Sequence, residues 1–312
     1  MRESNITTKA LNSQSIAFTK TEAPKRMQAN CLVSAGLGGL AGLFMEGVLH
    51  PIDTIRTRVK ANTKETVSMI RQIKMMQKYE GSRSYFNGFS CTLAGAFVSN
   101  ASYFYVYEKL KQVSHEYQIM SREAAPFAAA FVAGFLSNIL YLPFDVVRTR
   151  MQLKPGFYDY RHFFDGARKV LHHEGFSKLY LGGSAFLTLN ALETSLTFGF
   201  YELFYKILKP FFPTNLEVNL PLSIVCSVTA ASAAGFLINP LDVLVTRIQS
   251  VNTKVQGPVS IDAMVKSIYA KEGLNGFFKG VSGTVSYYAL SALILFPTYE
   301  VLNSIFHVDL SH

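Results

Sequence analysis

PFDVVRTR, at residues 143–150, is one of three related stretches in this chain of 312 residues. The other two are PIDTIRTR at residues 51–58 and PLDVLVTR at residues 240–247, so the copies begin almost a hundred residues apart. Each copy follows an apolar run without Lys or Arg and precedes, by about thirty residues, a Glu-Gly pair. Because an internal repeat of fixed period determines the architecture, the pattern predicts three equivalent structural units.

Six apolar segments follow the polar N-terminal residues 1–26, and none contains Lys or Arg. They are residues 28–55, 86–108, 123–147, 181–205, 218–246 and 280–306. Each is about long enough to cross a hydrocarbon core of ~30 Å. The mean hydropathy of +0.19 is low for helices that face lipid on every side, and it favours helices that line a polar cavity.

The basic residues are distributed unevenly between the connections. Two thirds of the 30 Lys and Arg residues lie in the three long connections, at residues 56–83, 148–178 and 247–279. This bias predicts that the long connections share one side of the membrane and that both termini lie on the other. The long connections also carry apolar residues at helical spacing, which predicts short interfacial helices. The clearest such residues are Ile261, Met264, Val265, Ile268 and Tyr269, and Phe163, Ala167, Val170 and Leu171.

These repeats resemble the mitochondrial carrier family, over roughly residues 27–306. The resemblance implies an all-α membrane protein with six transmembrane helices in three repeats of about a hundred residues, each with a short matrix-side amphipathic helix. It implies transport by alternating access in the mitochondrial inner membrane, with both termini facing the intermembrane space. The expected division is a polar N-terminal tail at residues 1–26 and carrier repeats at residues 27–118, 119–214 and 215–312.

The resemblance also assigns a matrix gate to the repeated stretches. Prolines are expected to kink the odd-numbered spans, and acids and bases of neighbouring repeats are expected to pair. The prolines are Pro51, Pro143 and Pro240, and the gate residues are Asp53, Arg56, Asp145, Arg148 and Asp242. Asp53 is expected to pair with Arg148, and Asp242 with Arg56. Asp145 has no expected partner, because Val245 stands where the family has a third base.

Two further features follow from the resemblance. A cytoplasmic gate is expected at the ends of the even-numbered spans, where only Lys111 supplies a base, opposite Glu202. The gate residues are Glu108, Lys111, Glu202 and Glu300. Cardiolipin phosphates are expected at the helix N-termini that follow Gly88, Gly182 and Gly280, because free N–H groups attract anions there. No other cofactor and no metal are expected.

The expected solute site lies about three and a half turns before the cytoplasmic gate. Carriers of nucleotides, phosphate and carboxylates place Arg or Lys there, because an anion in a low-dielectric cavity needs a cation. The corresponding residues here are uncharged or acidic, and the expected set is Glu46, Asn138, Gly95, Leu189, Asn190, Glu193 and Tyr287. Since a carboxylate within a membrane span is a candidate functional group, Glu46 and Glu193 favour a cationic, zwitterionic or neutral small solute.

Alternatives remain at this level. Glu46 and Glu193 could belong to a vestigial cavity in which water or the Tyr287 hydroxyl solvates them. The whole chain could be a degenerate carrier that serves as an accessory subunit of a larger inner-membrane assembly, such as a respiratory-chain complex, since both gates are incomplete. An enzyme is not indicated, because the sequence has no nucleophile–base pair, phosphate loop or metal cluster. Nucleic-acid binding is not indicated either, because the basic residues flank the spans.

Overall fold

The computed structural model describes residues 39–63, 67–117, 124–153, 158, 160–211, 220–251 and 260–305. Within these ranges the chain forms nine α-helices and no β-strand. The helices are α1 (residues 39–61), α2 (Met69–Tyr79), α3 (Phe89–Glu116), α4 (Ala124–Gln152), α5 (Phe163–His173), α6 (Gly183–Leu208), α7 (Leu220–Gln249), α8 (Ile261–Glu272) and α9 (Val281–Ile305). The expected polar tail, residues 1–26, lies outside the described residues.

The same order of elements occurs three times. Each repeat has a long helix, a short helix, a five-residue 3₁₀ segment and a second long helix. The 3₁₀ segments are Ser82–Phe86, Phe176–Tyr180 and Leu274–Phe278. The short helices α5 and α8 coincide with the predicted apolar patterns, and Val170 and Ile268 are their buried apolar residues. The predicted three-repeat, all-helical fold is therefore confirmed.

A glycine allows the chain to turn sharply just before the second long helix of each repeat. Gly88, Gly182 and Gly280 have φ angles of 82°, 75° and 72°, in the left-handed region that residues with a side chain rarely adopt. These glycines precede α3, α6 and α9 directly. They set the position at which the chain turns from the short helix back into the bundle.

The prolines do not end the helices that contain them. Pro143 and Pro240 lie inside α4 and α7, and Pro51 lies inside α1. The helical segments beyond the prolines bring the charged ends of α1, α4 and α7 together. A buried apolar cluster joins α4, α6 and α7 beside these ends. It comprises Leu142, Val146, Ala185, Phe186, Leu189, Ile238 and Val245.

The outer surface of the bundle is apolar. Phe97, Phe131 and Phe198 expose 68%, 74% and 68% of their surface. By length and apolar composition alone, two of the described helices qualify as membrane spans, over Ala128–Gln152 in α4 and Leu222–Gln249 in α7. The other long helices place polar residues on an inner face, which lowers their mean hydropathy without removing their apolar outer face.

Candidate functional site

A cavity of about 480 Å³ lies at the centre of the described helices. All six long helices contribute to its walls, and its volume is within the range of small-molecule sites. Six of the seven predicted solute-site residues line it. They are Glu46, Asn138, Leu189, Asn190, Glu193 and Tyr287. The six residues come from four helices, α1, α4, α6 and α9, and lie around a single space.

Gly95 is the predicted solute-site residue that does not line the cavity, although its neighbour Ala96 does. A Cβ atom at position 95 would lie 2.8 Å from Cβ of Phe144 and 2.9 Å from the ring of Tyr141. Gly95 thus allows α3 to pack closely on α4, as small residues do between membrane helices. On this turn of α3, Ala96 faces the cavity and Gly95 faces α4.

Each of the two glutamates in the cavity is associated with a tyrosine of α9. The Tyr287 hydroxyl donates a hydrogen bond to Glu46 Oε1 at 3.2 Å. Glu46 Oε2 is enclosed and accepts no hydrogen bond from the described residues. The Glu193 carboxylate interacts with the Tyr288 hydroxyl. Both carboxylates therefore contact tyrosine hydroxyl groups. Among the described residues, no Lys or Arg lies within ion-pair distance of either one.

One end of the cavity is lined by charged side chains and is called the floor here. It comprises Asp53, Asp145, Asp242, Arg56, Lys60 and Arg148. The floor contains the predicted pair between Asp53 and Arg148. Arg148 Nη1 lies 3.4 Å from Asp53 Oδ2, and Arg56 Nη2 lies 2.8 Å from Asp53 Oδ1. Gln152 donates a further hydrogen bond to Asp53 at 2.7 Å. Asp53 is thus held by three side chains, two of which come from the second repeat.

Asp242 and Asp145 have partners that the sequence analysis did not assign. Arg56 Nη1 lies 3.7 Å from Asp242, as predicted, but Lys60 forms a closer ion pair with the same carboxylate. Asp145 lacks a partner at position 245, also as predicted. It instead binds Arg148 at 2.6 Å and accepts a hydrogen bond from Gln249 at 2.9 Å.

Lys60, Gln152 and Gln249 occupy the same position in their repeats, nine residues after the proline. Each reaches an aspartate of another repeat. Their common spacing was the signal that could have identified them. The spacing alone does not single them out, because a polar residue near a helix end has an ordinary explanation as a solvated side chain.

Three further ion pairs surround the floor. Arg58–Glu80, Arg150–Glu174 and Arg247–Glu272 approach within 2.7, 2.6 and 2.7 Å. These pairs connect each repeated stretch to its own Glu-Gly pair. The same arginines donate to backbone carbonyls at the end of the next odd-numbered span, at Gln152, Gln249 and Lys60 in turn. Each repeat is therefore tied to the following one, and the third to the first.

Glu272 lies outside the spans and has two basic partners. Arg247 and Lys279 both approach its carboxylate within 2.7 Å. Burial raises the pKa of Glu272, but the hydrogen bonds from Arg247 and Lys279 outweigh burial and hold that pKa below its ordinary value.

The opposite end of the cavity is not closed by the predicted pair. Within the described part of the chain, Lys111 and Glu202 form no ion pair. The Lys111 ammonium instead lies 5.6 Å from the ring centroid of Tyr107, and Glu202 is exposed. Glu108 is half-buried, and the Glu300 side chain lies outside the described residues. The described charges therefore close the cavity at the proline-containing ends.

The family model described as mitochondrial carrier protein matches residues 28–118, 122–211 and 217–310. The chain belongs to the mitochondrial carrier family. It is thus an all-α membrane protein whose three repeats together supply six transmembrane helices. Members of this family are solute carriers and not enzymes, so this carrier moves a small-molecule solute. The family is that of the mitochondrial inner membrane, although one relative below is named as chloroplastic.

Several carriers are similar over most of the chain. The mitoferrin of Dictyostelium discoideum is 28% identical over 284 residues, which cover 84% of this chain and 90% of the relative. The probable S-adenosylmethionine carrier 2, chloroplastic, of Arabidopsis thaliana is 28% identical over 93% of this chain and 79% of its own length. The mitochondrial nicotinamide adenine dinucleotide transporter 2 of Arabidopsis thaliana is 28% identical over 86% and 78%. These matches do not favour the accessory-subunit alternative.

Proposed function

We propose that this carrier moves an organic cation or zwitterion across the mitochondrial inner membrane by alternating access. Both termini would face the intermembrane space, as the distribution of Lys and Arg favours. Glu46 and Glu193 would hold the positive charge of the solute. The observation that carries the proposal is an excess of two carboxylates among the residues that line the cavity.

The excess arises because the cavity floor is already neutral. Three aspartates face three basic side chains there: Asp53, Asp145 and Asp242 against Arg56, Lys60 and Arg148. Glu46 and Glu193 lie outside these ion pairs and contact Tyr287 and Tyr288. Two ionised carboxylates in a low-dielectric cavity attract a cation and repel an anion. Every described base of the floor is paired with an aspartate, so none is left to bind a nucleotide, phosphate or polycarboxylate.

Unpartnered atoms of the cavity residues suit a zwitterion. Glu46 Oε2 is an acceptor, while Arg56 Nη1 and Arg148 Nε are donors, and none of the three has a hydrogen bond within the described residues. A buried polar atom without a partner is unfavourable by about 1–3 kcal/mol, so a ligand that supplies partners is stabilised. An ammonium and a carboxylate on one solute could supply both kinds after small rotations of these side chains.

One relative provides an example of this charge class. S-adenosylmethionine, named for the Arabidopsis thaliana carrier, bears a sulfonium, an ammonium and a carboxylate. The aromatic side chains Tyr141, Phe186, Tyr287 and Tyr288 line the cavity together with the two glutamates. Aromatic faces bind such cations favourably. S-adenosylmethionine is therefore the first solute to be tested.

Uptake into proteoliposomes tests the proposal. The purified carrier is reconstituted and assayed with S-adenosylmethionine, arginine, lysine and choline, and in parallel with ADP, phosphate, malate and citrate. We expect uptake of at least one solute of the first group and none of the second. Glu46→Gln and Glu193→Gln should each abolish that uptake, whereas Asp262→Asn, which neutralises an exposed carboxylate on α8, should not. Uptake of an anion with no uptake of a cation would contradict the proposal.

We also propose cardiolipin as a structural lipid at the N-termini of α3, α6 and α9. The support is the glycine turn before each helix and the helix N-terminus that follows it, where the first N–H groups lack the usual intrahelical acceptor and attract anions. Added cardiolipin should raise the unfolding temperature in detergent more than the same amount of phosphatidylcholine does. Equal effects of the two lipids would count against the proposal.

A further inference from the structure

Tyr287 lies between the solute site and the charged floor and contacts both. Its hydroxyl donates to Glu46 Oε1 at 3.2 Å. The guanidinium of Arg56 lies over the Tyr287 ring, with its central carbon 3.9 Å from the ring centroid. Tyr287 itself is buried, with 6% of its surface exposed. One rigid side chain thus touches a cavity carboxylate at one end and a gate cation on its face.

Arg56 is the base that joins two aspartates of the floor. It lies 2.8 Å from Asp53 in its own helix and 3.7 Å from Asp242 in the third repeat. The pair with Asp242 connects α1 to α7. A change in the position of the Arg56 guanidinium therefore changes a contact between repeats, which the family is expected to break when the matrix side opens.

Tyr288 provides an internal comparison. Its hydroxyl interacts with Glu193, but its ring centroid is 5.7 Å from the Arg56 guanidinium, and its ring is nearly perpendicular to that of Tyr287. The ring of Tyr288 packs on α7 where Gly235 leaves space, since a Cβ there would lie 2.8 Å from the ring. Tyr288 is thus fixed between α9 and α7, and Arg56 rests mainly on Tyr287.

We infer that Tyr287 is a positioning residue that transmits occupation of Glu46 to the gate through Arg56. This inference rests on the proposed function, in which a cation binds Glu46. A bound cation neutralises the carboxylate and weakens the charge-assisted hydrogen bond from Tyr287. The ring is then free to tilt, and Arg56 loses the aromatic face that holds it near Asp242. Binding of the solute thereby loosens the contact between the first and third repeats.

The inference makes a kinetic prediction for Tyr287→Phe, which keeps the ring and removes the hydroxyl. Uptake of S-adenosylmethionine should show a Vmax lower by about fivefold or more, because coupling of that size is typical between linked sites. KM should change by less than about twofold, since Glu46 remains available to the cation. A purely structural role for Tyr287 would lower the amount of folded carrier without this separation of Vmax from KM.

A second measurement does not depend on any solute. Unfolding is followed with a thiol-reactive dye, because Cys91 and Cys226 are buried. The Glu46→Gln and Arg56→Lys changes are combined in a double-mutant cycle, once with Tyr287 present and once with Tyr287→Leu. We expect the shifts in unfolding temperature to be non-additive with Tyr287 and closer to additive with Tyr287→Leu, because only the direct attraction between the two charges remains. The Tyr288→Leu background is the matched control and should retain the coupling.

The two measurements separate the inference from the function on which it rests. Absence of S-adenosylmethionine uptake by the unaltered carrier would count against that solute, while the cycle would still test the connection through Tyr287. Coupling of equal size with Tyr287 and with Tyr287→Leu would overturn the inference. So would a Tyr287→Phe carrier with unaltered Vmax and KM.

Discussion

Lys60 of the first repeat forms an ion pair with Asp242 of the third. With it, the floor becomes a linear series of alternating charges that passes through all three repeats. The series runs Lys60, Asp242, Arg56, Asp53, Arg148 and Asp145. It does not close into a ring, because Val245 is next to its last member in place of a base. We expect the position of each charge within this series to determine how much it contributes to the stability of the folded carrier.

The first prediction compares the middle and the end of the series. Asp53→Asn removes the charge between two arginines, and removing one partner from a buried ion pair destabilises by about 3–5 kcal/mol. Asp145→Asn removes a terminal charge, and the amide can still bond with Gln249. We therefore expect Asp53→Asn to lower the unfolding temperature more than Asp145→Asn does. Thiol-dye melting of the two variants measures this, and the reverse order would refute the linear series.

The sequence predicted the components of this floor better than their connections. The recurrence of the repeated stretch identified Asp53, Arg148 and their equivalents, because the period of a repeat is independent of three-dimensional detail. The repeat also marks the position of Lys60, but it does not give the partner of that side chain. Whether a side chain nine residues past a proline reaches another repeat depends on how closely three helix ends approach, and the pattern along the chain carries no information on that distance.

The solute site illustrates the same limit. The resemblance to the family indicated one turn on each span, and Glu46, Glu193 and Tyr287 line the cavity there. Gly95 packs on α4 instead, because a residue at the edge of the inward face can point either to the cavity or to a neighbouring helix. The hydrogen bond from Tyr287 to Glu46 joins α9 to α1, and the spacing within one helix cannot predict it.

The second prediction concerns acid. The pKa of Glu272 is lowered in the folded carrier, so its ion pairs stabilise the fold above the ordinary pKa of 4.5 and lose that contribution as pH falls below it. Glu272→Gln should melt at a lower temperature than the unaltered carrier at pH 7. The difference should shrink as pH falls from 7 through 4.5 and below. Asp262→Asn, an exposed control on the same helix, should show no such convergence, and a constant difference for Glu272→Gln would contradict the assignment.

The third prediction concerns the arginines of the three further ion pairs that surround the floor. Arg150 is 1% exposed, binds Glu174 through both terminal nitrogens and donates to the carbonyls of Gln249 and Val251. Lysine keeps the charge but cannot supply the planar set of donors. Arg150→Lys should therefore destabilise the carrier by about 1–3 kcal/mol, the usual effect of leaving a buried acceptor unsatisfied. The exposed Arg168→Lys change is the control, and equal melting of the two variants would contradict this role.

The last prediction moves the third positive charge of the floor. In the unaltered carrier, Lys60 supplies that charge at Asp242, and Val245 leaves Asp145 with Arg148 and Gln249 only. Lys60→Gln introduces the residue type present at the equivalent positions 152 and 249, but it leaves the floor short of one cation. Val245→Lys alone adds a fourth cation and disturbs the apolar cluster of α4, α6 and α7.

Together the two changes restore three cations against three aspartates and allow position 245 to pair with Asp145. We therefore expect a favourable interaction between them: Val245→Lys should lower the unfolding temperature less in the Lys60→Gln background than in the unaltered carrier. Melting of the four proteins gives this interaction as a double-mutant cycle. Additive effects would mean that the charge at position 60 acts only on Asp242 and that the floor is not balanced as a whole. A larger decrease in the Lys60→Gln background than in the unaltered carrier would contradict the proposed balance of charges.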